Sequence, residues 1–286
     1  MDITLADERA FLLKEQLSLE QAEGRAWEKK VDAFGRMIKV ASFLQRPKDS
    51  DFELVYKEHR YEPFWHIVCR ARYVYERRRE YPIPLSGKEV TAVSLDDKQF
   101  EVTNGRIHLT FTEHCHETPE RIRFINGYTN EPDETLSRYL NHPANQVPPE
   151  HLEALSKQGA IVVPAQARAS AIVRDGLLEV LKSIQADTIL EDAIEIANVD
   201  LYYRPVYAFQ YRWLSKQKEA IVEYDAVTSE LRTDGKTFQQ YVGKLLDPDF
   251  LFDVGVDTID LLVPGGGLAV KLARKGLDVA RSRSNS

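Results

Sequence analysis

Five side chains of the kinds that bind zinc stand in two short segments of the chain. They are His66 and Cys69 in the first segment, and His114, Cys115 and His116 in the second. Both segments are predicted strands, and in a strand residues three apart point to opposite faces. His66 and Cys69 therefore cannot bind one ion together, whereas His114 and His116 share a face. A structural zinc site takes four ligands, so we predict no metal and keep His114 and His116 as the remaining metal candidates.

A glycine-rich turn, Pro264-Gly265-Gly266-Gly267, precedes a segment with helical spacing that begins at Leu268. Backbone N–H groups at the start of a helix can bind a phosphate. The turn lacks the spacing of a Walker A loop or of a dinucleotide-binding motif. A turn between two helices is therefore the favoured interpretation, a phosphate site is the alternative, and no cofactor is predicted.

Arginine and tyrosine alternate through residues 57–81, a mixture that proteins use to bind single-stranded nucleic acid. Seven Lys and Arg oppose four Glu in this range, which leaves a local charge of +3. The whole chain carries a formal net charge of −7, and such a chain repels nucleic acid. A solvated hairpin explains the pattern equally well, so nucleic acid is not predicted as a partner.

Residues 264–286 form a basic segment on an otherwise acidic chain, with five Lys and Arg against one Asp. Lys271, Arg274 and Lys275 fall on a predicted amphipathic helix. Such a helix can bind a protein partner or a membrane surface, and it can also pack on the acidic body of its own chain. We name these three cations as candidate binding residues.

Motifs of common enzymes do not occur in the sequence. There is no nucleophile elbow, zinc-protease motif or kinase motif, and the aspartates at 247–257 lack the spacing of an EF-hand. We therefore predict no catalytic residue, and an enzyme without these motifs stays the alternative.

The helices that would position these residues follow from hydrophobic spacing. Apolar residues recur at helical intervals through residues 7–45, and two further helices are predicted at 149–157 and 166–187. Residues 118–150 contain most of the turn formers and mark the predicted domain boundary.

The strands are indicated by alternating aromatic and β-branched residues. One long strand region starts near Phe52, and a second starts at Ile194. Asn104-Gly105 is a two-residue hairpin signal between the strands predicted at 99–103 and 106–113.

The two strand regions resemble each other at an offset of 142 residues. Tyr61-Glu62-Pro63 aligns with Tyr203-Arg204-Pro205, and Trp65 aligns with Tyr207. This similarity favours the duplication of a helix-plus-sheet unit, and the alternative is that two aromatic strands simply look alike. Trp65 and Tyr207 are each the first residue of an aromatic strand face that we expect to lie in the core. They are also the candidate binding residues of the two units.

Residues 203–231, with their Tyr-x-Pro strand followed by Tyr224-Asp225-Ala226-Val227-Thr228-Ser229-Glu230, resemble the hairpin of PepSY-like domains. Ser229 stands where that pattern has glycine. PepSY-like domains are mostly extracytoplasmic binding or inhibitory modules, which does not fit a chain for which no signal peptide is expected. The resemblance therefore implies the hairpin fold only. It does not identify a family for the whole chain.

Cysteine content and the N-terminal residues suggest the compartment. Only Cys69 and Cys115 occur in 286 residues, which predicts no disulfide framework and fits a reducing environment. Charged residues interrupt the first 16 positions, so no signal peptide is expected. We predict a cytoplasmic protein.

Together these observations predict an α+β fold of two duplicated helix-plus-antiparallel-sheet units with a helical C-terminal appendage. The predicted divisions are 1–145, 146–250 and 251–286. The predicted function is that of a non-catalytic binding or adaptor protein that acts in a larger assembly through its aromatic strands and basic C-terminal segment. The alternative is an enzyme or small-ligand-binding protein with its site in the cleft between the two units.

Overall fold

The computed structural model describes residues 2–34, 47–166 and 168–232, together with the backbone of two short strands at 259–262 and 269–272. The protein is mostly β and is built on one mixed sheet of ten strands. The prediction of an α+β fold with two duplicated helix-plus-antiparallel-sheet units and a helical C-terminal appendage is therefore wrong.

Two very long strands form the middle of the sheet and explain this error. β3 (Phe52–Pro84) and β10 (Thr188–Trp213) pair antiparallel along most of their lengths. The two Tyr-x-Pro segments lie opposite each other, with Glu62 facing Arg204. The similar strands are thus neighbours in one sheet, and strands from both sides of residues 118–150 belong to that sheet.

Shorter strands border the outer edges of the two long ones. Along β3 they are β9 (Ile161–Val162), which is parallel to it, and β7 (Glu120–Asn126) and β6 (Arg106–Glu117), which are antiparallel. Along β10 they are β1 (Asp2–Leu5) and β2 (Glu8–Leu13), both parallel, and β11 (Lys218–Asp225), which is antiparallel. β8 (Ala144–Val147) pairs with β2, and β12 (Leu231–Arg232) pairs with β11.

Two small hairpins lie outside the large sheet. They are formed by β4 (Ala92–Leu95) with β5 (Lys98–Glu101), and by β13 (Ile259–Leu262) with β14 (Ala269–Leu272). The helix predicted to begin near Leu268 is therefore wrong over 269–272, because that segment is extended and paired. The hairpin turn at Asn104-Gly105 is confirmed, since both residues have positive φ and Thr103 bridges Arg106.

The helices only partly match the expected ranges. The helix predicted over 7–45 is wrong at its start, where β2 pairs with β10, and residues 35–46 lie outside the described residues. Helix α1 (Leu19–Ala33) begins at a capping box formed by Ser18 and Gln21. Helix α2 (Pro149–Lys157) matches its predicted range, and α3 (Ala169–Val180) is shorter than predicted.

Short 3₁₀ turns complete the described elements, at Asp49–Asp51, Glu134–Asn141 and Leu214–Lys216. None of the helices in the described ranges is both long and apolar enough to cross a membrane.

The sheet carries a core on each face. On one face, odd-numbered residues of β3 such as Trp65 and Ile67 pack under α2 and α3, and Tyr211 of β10 packs under α1. On the opposite face, Phe64 packs with Tyr139 of the 3₁₀ turn at Glu134–Asn141. The two-residue period of a strand thus divides each long strand between two cores.

Pro63 and Pro205 lie inside the two long strands, although proline has no N–H to donate to the ladder. Each proline lies in the gap between two outer strands that pair with the same edge of its long strand. The missing N–H therefore leaves no ladder hydrogen bond unmade on that side. The Pro63 carbonyl accepts a hydrogen bond from Gly127 at 2.9 Å, and the Pro205 carbonyl accepts one from Ala226 at 3.0 Å.

Replacing Gly127 with alanine should destabilise the protein by about 1–3 kcal/mol, because the site has no room for even a methyl side chain. An added Cβ would lie 2.9 Å from Cβ, Cγ and the carbonyl oxygen of Pro63. Urea unfolding would measure the change. Gly24→Ala is the matched control, because a Cβ there meets no heavy atom within 4 Å. Equal stability of Gly127→Ala and the parent would contradict the packing.

Candidate binding surface

Trp65 and Tyr207 are core residues, as the alternation of their strands indicated. Their side chains are 3% and 1% exposed, so neither can contact a partner at the surface of the folded protein. The Tyr207 hydroxyl donates to Glu15 Oε2 at 2.7 Å, and Tyr61 donates to Oε1 of the same carboxylate at 3.2 Å. A binding surface must therefore be sought elsewhere on the sheet.

The five zinc-type residues do not come together. His66 stacks on Phe124 on one face of the sheet, whereas Cys69 is buried on the other, where burial raises the pKa of its thiol to about 11. His114 and His116 are exposed on β6, and His114 Nδ1 lies 3.0 Å from Glu76. Among the described residues, no group of three or more His, Cys, Asp and Glu side chains is arranged to hold a metal ion.

The candidate cations of the C-terminal segment are only partly described. Lys271 belongs to β14, where it pairs with Asp260 through the backbone. Arg274 and Lys275 lie outside the described residues. Their role in binding stays a prediction.

The arginines of residues 57–81 are largely engaged by carboxylates of neighbouring strands. Arg70 pairs with Glu120, Arg72 with Glu191 and Arg77 with Glu113. Cross-strand pairs of opposite charge are a normal way to stabilise a solvated sheet face. These three arginines are therefore partnered by carboxylates of the protein itself, while Arg78 and Arg79 are exposed, and the absence of a nucleic-acid partner stays a prediction.

A buried charge network lies where the two Tyr-x-Pro segments face each other. Glu62 is 3% exposed and accepts from Arg204 Nη2 at 2.7 Å, from Arg60 Nη2 at 2.8 Å and from Arg232 Nη1 at 3.1 Å. Arg60 also contacts Glu58 and Glu223. This network was not among the predicted sites, although the sequence contains a signal for it, the opposite charges at the middle positions of the two Tyr-x-Pro segments.

The pKa values of Glu62 and Glu223 are shifted in opposite directions. Burial alone would raise the pKa of Glu62, but the charges of Arg204, Arg232 and Arg60 outweigh it and hold that pKa well below its ordinary value. For Glu223 burial prevails over the attraction of Arg60, and the repulsion of Glu62 adds to it, so its pKa is raised. Glu62 is surrounded by arginines of the protein itself, which is typical of a structural ion cluster, whereas Oε2 of Glu223 is buried without a hydrogen-bond partner among the described residues.

A two-stranded arm extends from the end of β3. The pairing of β10 with β3 ends at Glu76, and from Arg77 to Pro84 the strand β3 pairs only with residues 106–113 of β6 among the described residues. Eight residue pairs at about 3.3 Å per residue make an arm roughly 26 Å long. We call this segment, 77–84 with 106–113, the arm.

One face of the arm carries an exposed aromatic pair. Tyr81 and Phe111 are 41% and 46% exposed, and their rings meet edge to face with centroids 5.8 Å apart. The Tyr81 hydroxyl donates to Glu113, which also pairs with Arg77. The same face is buried nearer the tip, at Ile107 and Leu109. The pair is thus held in place by its neighbours while it faces solvent.

The opposite face of the arm is polar. His108 Nδ1 lies 2.7 Å from Glu80, and His114, next to the arm, makes the similar contact with Glu76. The outer edge of β6 has no strand partner within the described ranges. The arm therefore offers two chemically distinct faces and, within the described residues, two open edges, one along β6 and one along β3 from Arg77 to Pro84.

The fold and the arm define a mostly β protein with a projecting aromatic surface. No protein-family model, curated protein or solved structure matches this chain. Residues 203–231 do form a hairpin, that of β10 and β11, while a relation to PepSY-like domains stays a prediction.

Proposed function

We propose that this chain is a non-catalytic binding protein that acts within a larger assembly and contacts a protein partner through the aromatic pair of the arm. The exposure of Tyr81 and Phe111 on a two-stranded arm carries this proposal. Tyrosine and other large aromatic side chains contribute much of the binding energy in protein interfaces. A two-stranded hairpin by itself is only marginally stable in water, so a partner that covers the arm would also stabilise it.

The charges of the protein support binding over catalysis. Glu62 has a lowered pKa, and it is buried against three arginines, which leaves it no access to a substrate. The alternative, an enzyme or small-ligand-binding protein with its site in a cleft between two units, has less support, since strands from both halves belong to one sheet.

The basic C-terminal segment belongs to the same proposal as a second contact, to the partner or to a membrane surface. Five positive charges against one negative charge in residues 264–286 would attract an acidic surface. The proposed compartment is the cytoplasm, and the small number of cysteines, both free, supports this proposal.

The Tyr81→Ala/Phe111→Ala variant should lose its protein partner while keeping its fold. Affinity purification from the native host, followed by mass spectrometry, would identify the partner, and the Kd would then be measured with both purified proteins. We expect at least tenfold weaker binding, because removing an aromatic contact residue commonly costs about 2 kcal/mol or more.

Leu178→Ala is the matched control, since Leu178 is an apolar residue of α3 that is 49% exposed and distant in sequence from the arm. It should bind with the parent Kd. Equal affinity of the arm variant and the control would contradict the proposal. A truncation before residue 256 tests the C-terminal contact separately, and its effect should weaken as salt is raised.

A further inference from the structure

The two edges of the arm differ in how well they are protected against pairing with a further strand. On the β3 edge, the Glu76 carbonyl accepts a hydrogen bond from the Asp187 N–H at 2.9 Å, and the Arg78 N–H donates to the Asp187 carboxylate. The backbone groups of a strand alternate in direction with a period of two. Pro82 and Pro84 therefore stand where an N–H would face this same edge, and proline has none to donate. The β3 edge is thus closed to another strand along most of its length.

The edge along β6 carries none of these protections. At its start, Arg106 and Thr103 exchange backbone hydrogen bonds of 3.1 and 2.9 Å on the side away from β3. The even-numbered residues of β6 therefore direct their backbone groups outward. No strand pairs with these groups within the described ranges. We call the outward backbone groups of residues 108–116 the β6 edge.

Devices that normally prevent edge pairing are missing from β6. Proline, exposed lysine and bulges are the usual ones. The strand contains neither proline nor lysine, and it pairs with β3 in one unbroken register over twelve residues. One arm thus has a protected edge and an unprotected edge side by side, which indicates that the unprotected one serves to pair.

The sequence of β6 favours pairing with an identical strand. Residues 107–112, Ile-His-Leu-Thr-Phe-Thr, contain no Asp, Glu, Lys, Arg, proline or glycine. Short uncharged segments rich in β-branched and aromatic residues are the ones that pair with copies of themselves. Thr110 and Thr112 are exposed, so packing within the chain does not require uncharged residues at these two positions.

A second copy of β6 fits this edge in antiparallel register. A two-fold axis at Phe111 places Thr110 of one copy opposite Thr112 of the other, and the two Phe111 side chains opposite each other. Cross-strand pairs of threonines and of aromatic residues are favourable. Glu113 is the only Asp, Glu, Lys or Arg between 108 and 114, and it would lie opposite Leu109 rather than a like charge. The outward groups at 108, 110, 112 and 114 of the two copies would exchange about eight backbone hydrogen bonds.

We propose that two copies of this chain associate through their β6 edges, which join the two sheets into one. Association ends at a dimer, because the β3 edges are protected. Side chains of a strand stand perpendicular to the sheet, so Tyr81 and Phe111 of both copies lie on the same face of the joined sheet. The dimer does not rest on the proposed function, since it forms without any other protein.

Analytical ultracentrifugation of the full chain, from low to high micromolar concentration, tests the association. We expect a dimer whose fraction rises with concentration, and no larger species. A chain that stays monomeric at every concentration overturns the proposal. A series of larger oligomers also overturns it, because growth beyond the dimer needs a second edge that pairs.

The Thr110→Lys/Thr112→Lys variant locates the contact. It should weaken the dimer about tenfold or more, because each lysine would lie opposite a lysine of the second copy. Thr188→Lys is the matched control, since Thr188 is an exposed threonine of β10, on the other side of β3 from β6. It should dimerise like the parent, and an equal loss in both variants would overturn the assignment to β6. Circular dichroism would check that both variants keep their strands.

Amide hydrogen exchange, measured by NMR, distinguishes strand pairing from any other contact. The outward N–H groups of Thr110 and Thr112 should exchange about tenfold or more slowly at high than at low protein concentration. The inward N–H groups of Leu109 and Phe111 should be protected by β3 at every concentration. A dimer in which exchange at Thr110 and Thr112 stays fast would contradict the proposal.

Discussion

Replacing Glu62 with glutamine should lower the free energy of unfolding by about 3–5 kcal/mol, as expected when one partner of a buried ion cluster is neutralised. The variant keeps the size of the side chain but leaves Arg204 and Arg60 buried without their shared carboxylate. Urea unfolding at pH 7 would measure the loss.

Glu223→Gln is the matched control in the same network. Glu223 is equally buried and also contacts Arg60, but its pKa is raised rather than lowered. The fold therefore favours the neutral form of Glu223, and the neutral amide should cost much less than it does at position 62. A loss at position 223 as large as the loss at position 62 would contradict this account of the network.

The pH dependence of the two variants should also differ in sign. A carboxylate whose pKa is lowered in the folded state stabilises the fold above its unfolded pKa, and the stabilisation is lost as the pH falls below that value. The parent should therefore lose more stability than Glu62→Gln when the pH falls below about 4.5. The raised pKa of Glu223 acts in the other direction, so Glu223→Gln should gain stability relative to the parent as the pH rises above the same value.

Phe64→Ala should also be strongly destabilising, by about 3–5 kcal/mol, because it empties the core on the face of the sheet opposite α3. Phe64 is 1% exposed, stacks on Tyr202 with ring centroids 5.2 Å apart, and contacts Tyr139 at 5.7 Å. Thermal unfolding should show a decrease in Tm of about 6–20 °C.

Phe111→Ala removes the same side chain from the surface of the arm. With 46% of Phe111 exposed, its loss should change stability by only about 0.5 kcal/mol or less. A large loss of stability at Phe111 would mean that the arm is part of the folded core. That result would remove the main support for the proposed binding surface, whereas a small effect at Phe64 would contradict the second core.

The local elements were largely predictable from the sequence where short-range chemistry determines them. Asn104-Gly105 predicted its turn, because both residues adopt positive φ easily. Residues 149–157 predicted α2, where prolines stand at the start of the helix. By contrast, residues 8–13 have a helical pattern but form β2, because pairing with β10 outweighs a weak local preference.

The sequence by itself determined which residues of the long strands are core, since alternation at period two buries Trp65, Ile67 and Tyr207 whatever their partner strands are. It also placed Glu62 and Arg204 at equivalent positions of two similar segments. Only the tertiary structure decided that these segments pair with each other. Strand pairing depends on contacts between residues far apart in the sequence, such as Glu62 and Arg204, which are 142 positions apart. Two similar strands are equally compatible with separate units or with one sheet. The arm depends on the same long-range pairing, because its exposure follows from where β10 begins, at Thr188 opposite Glu76.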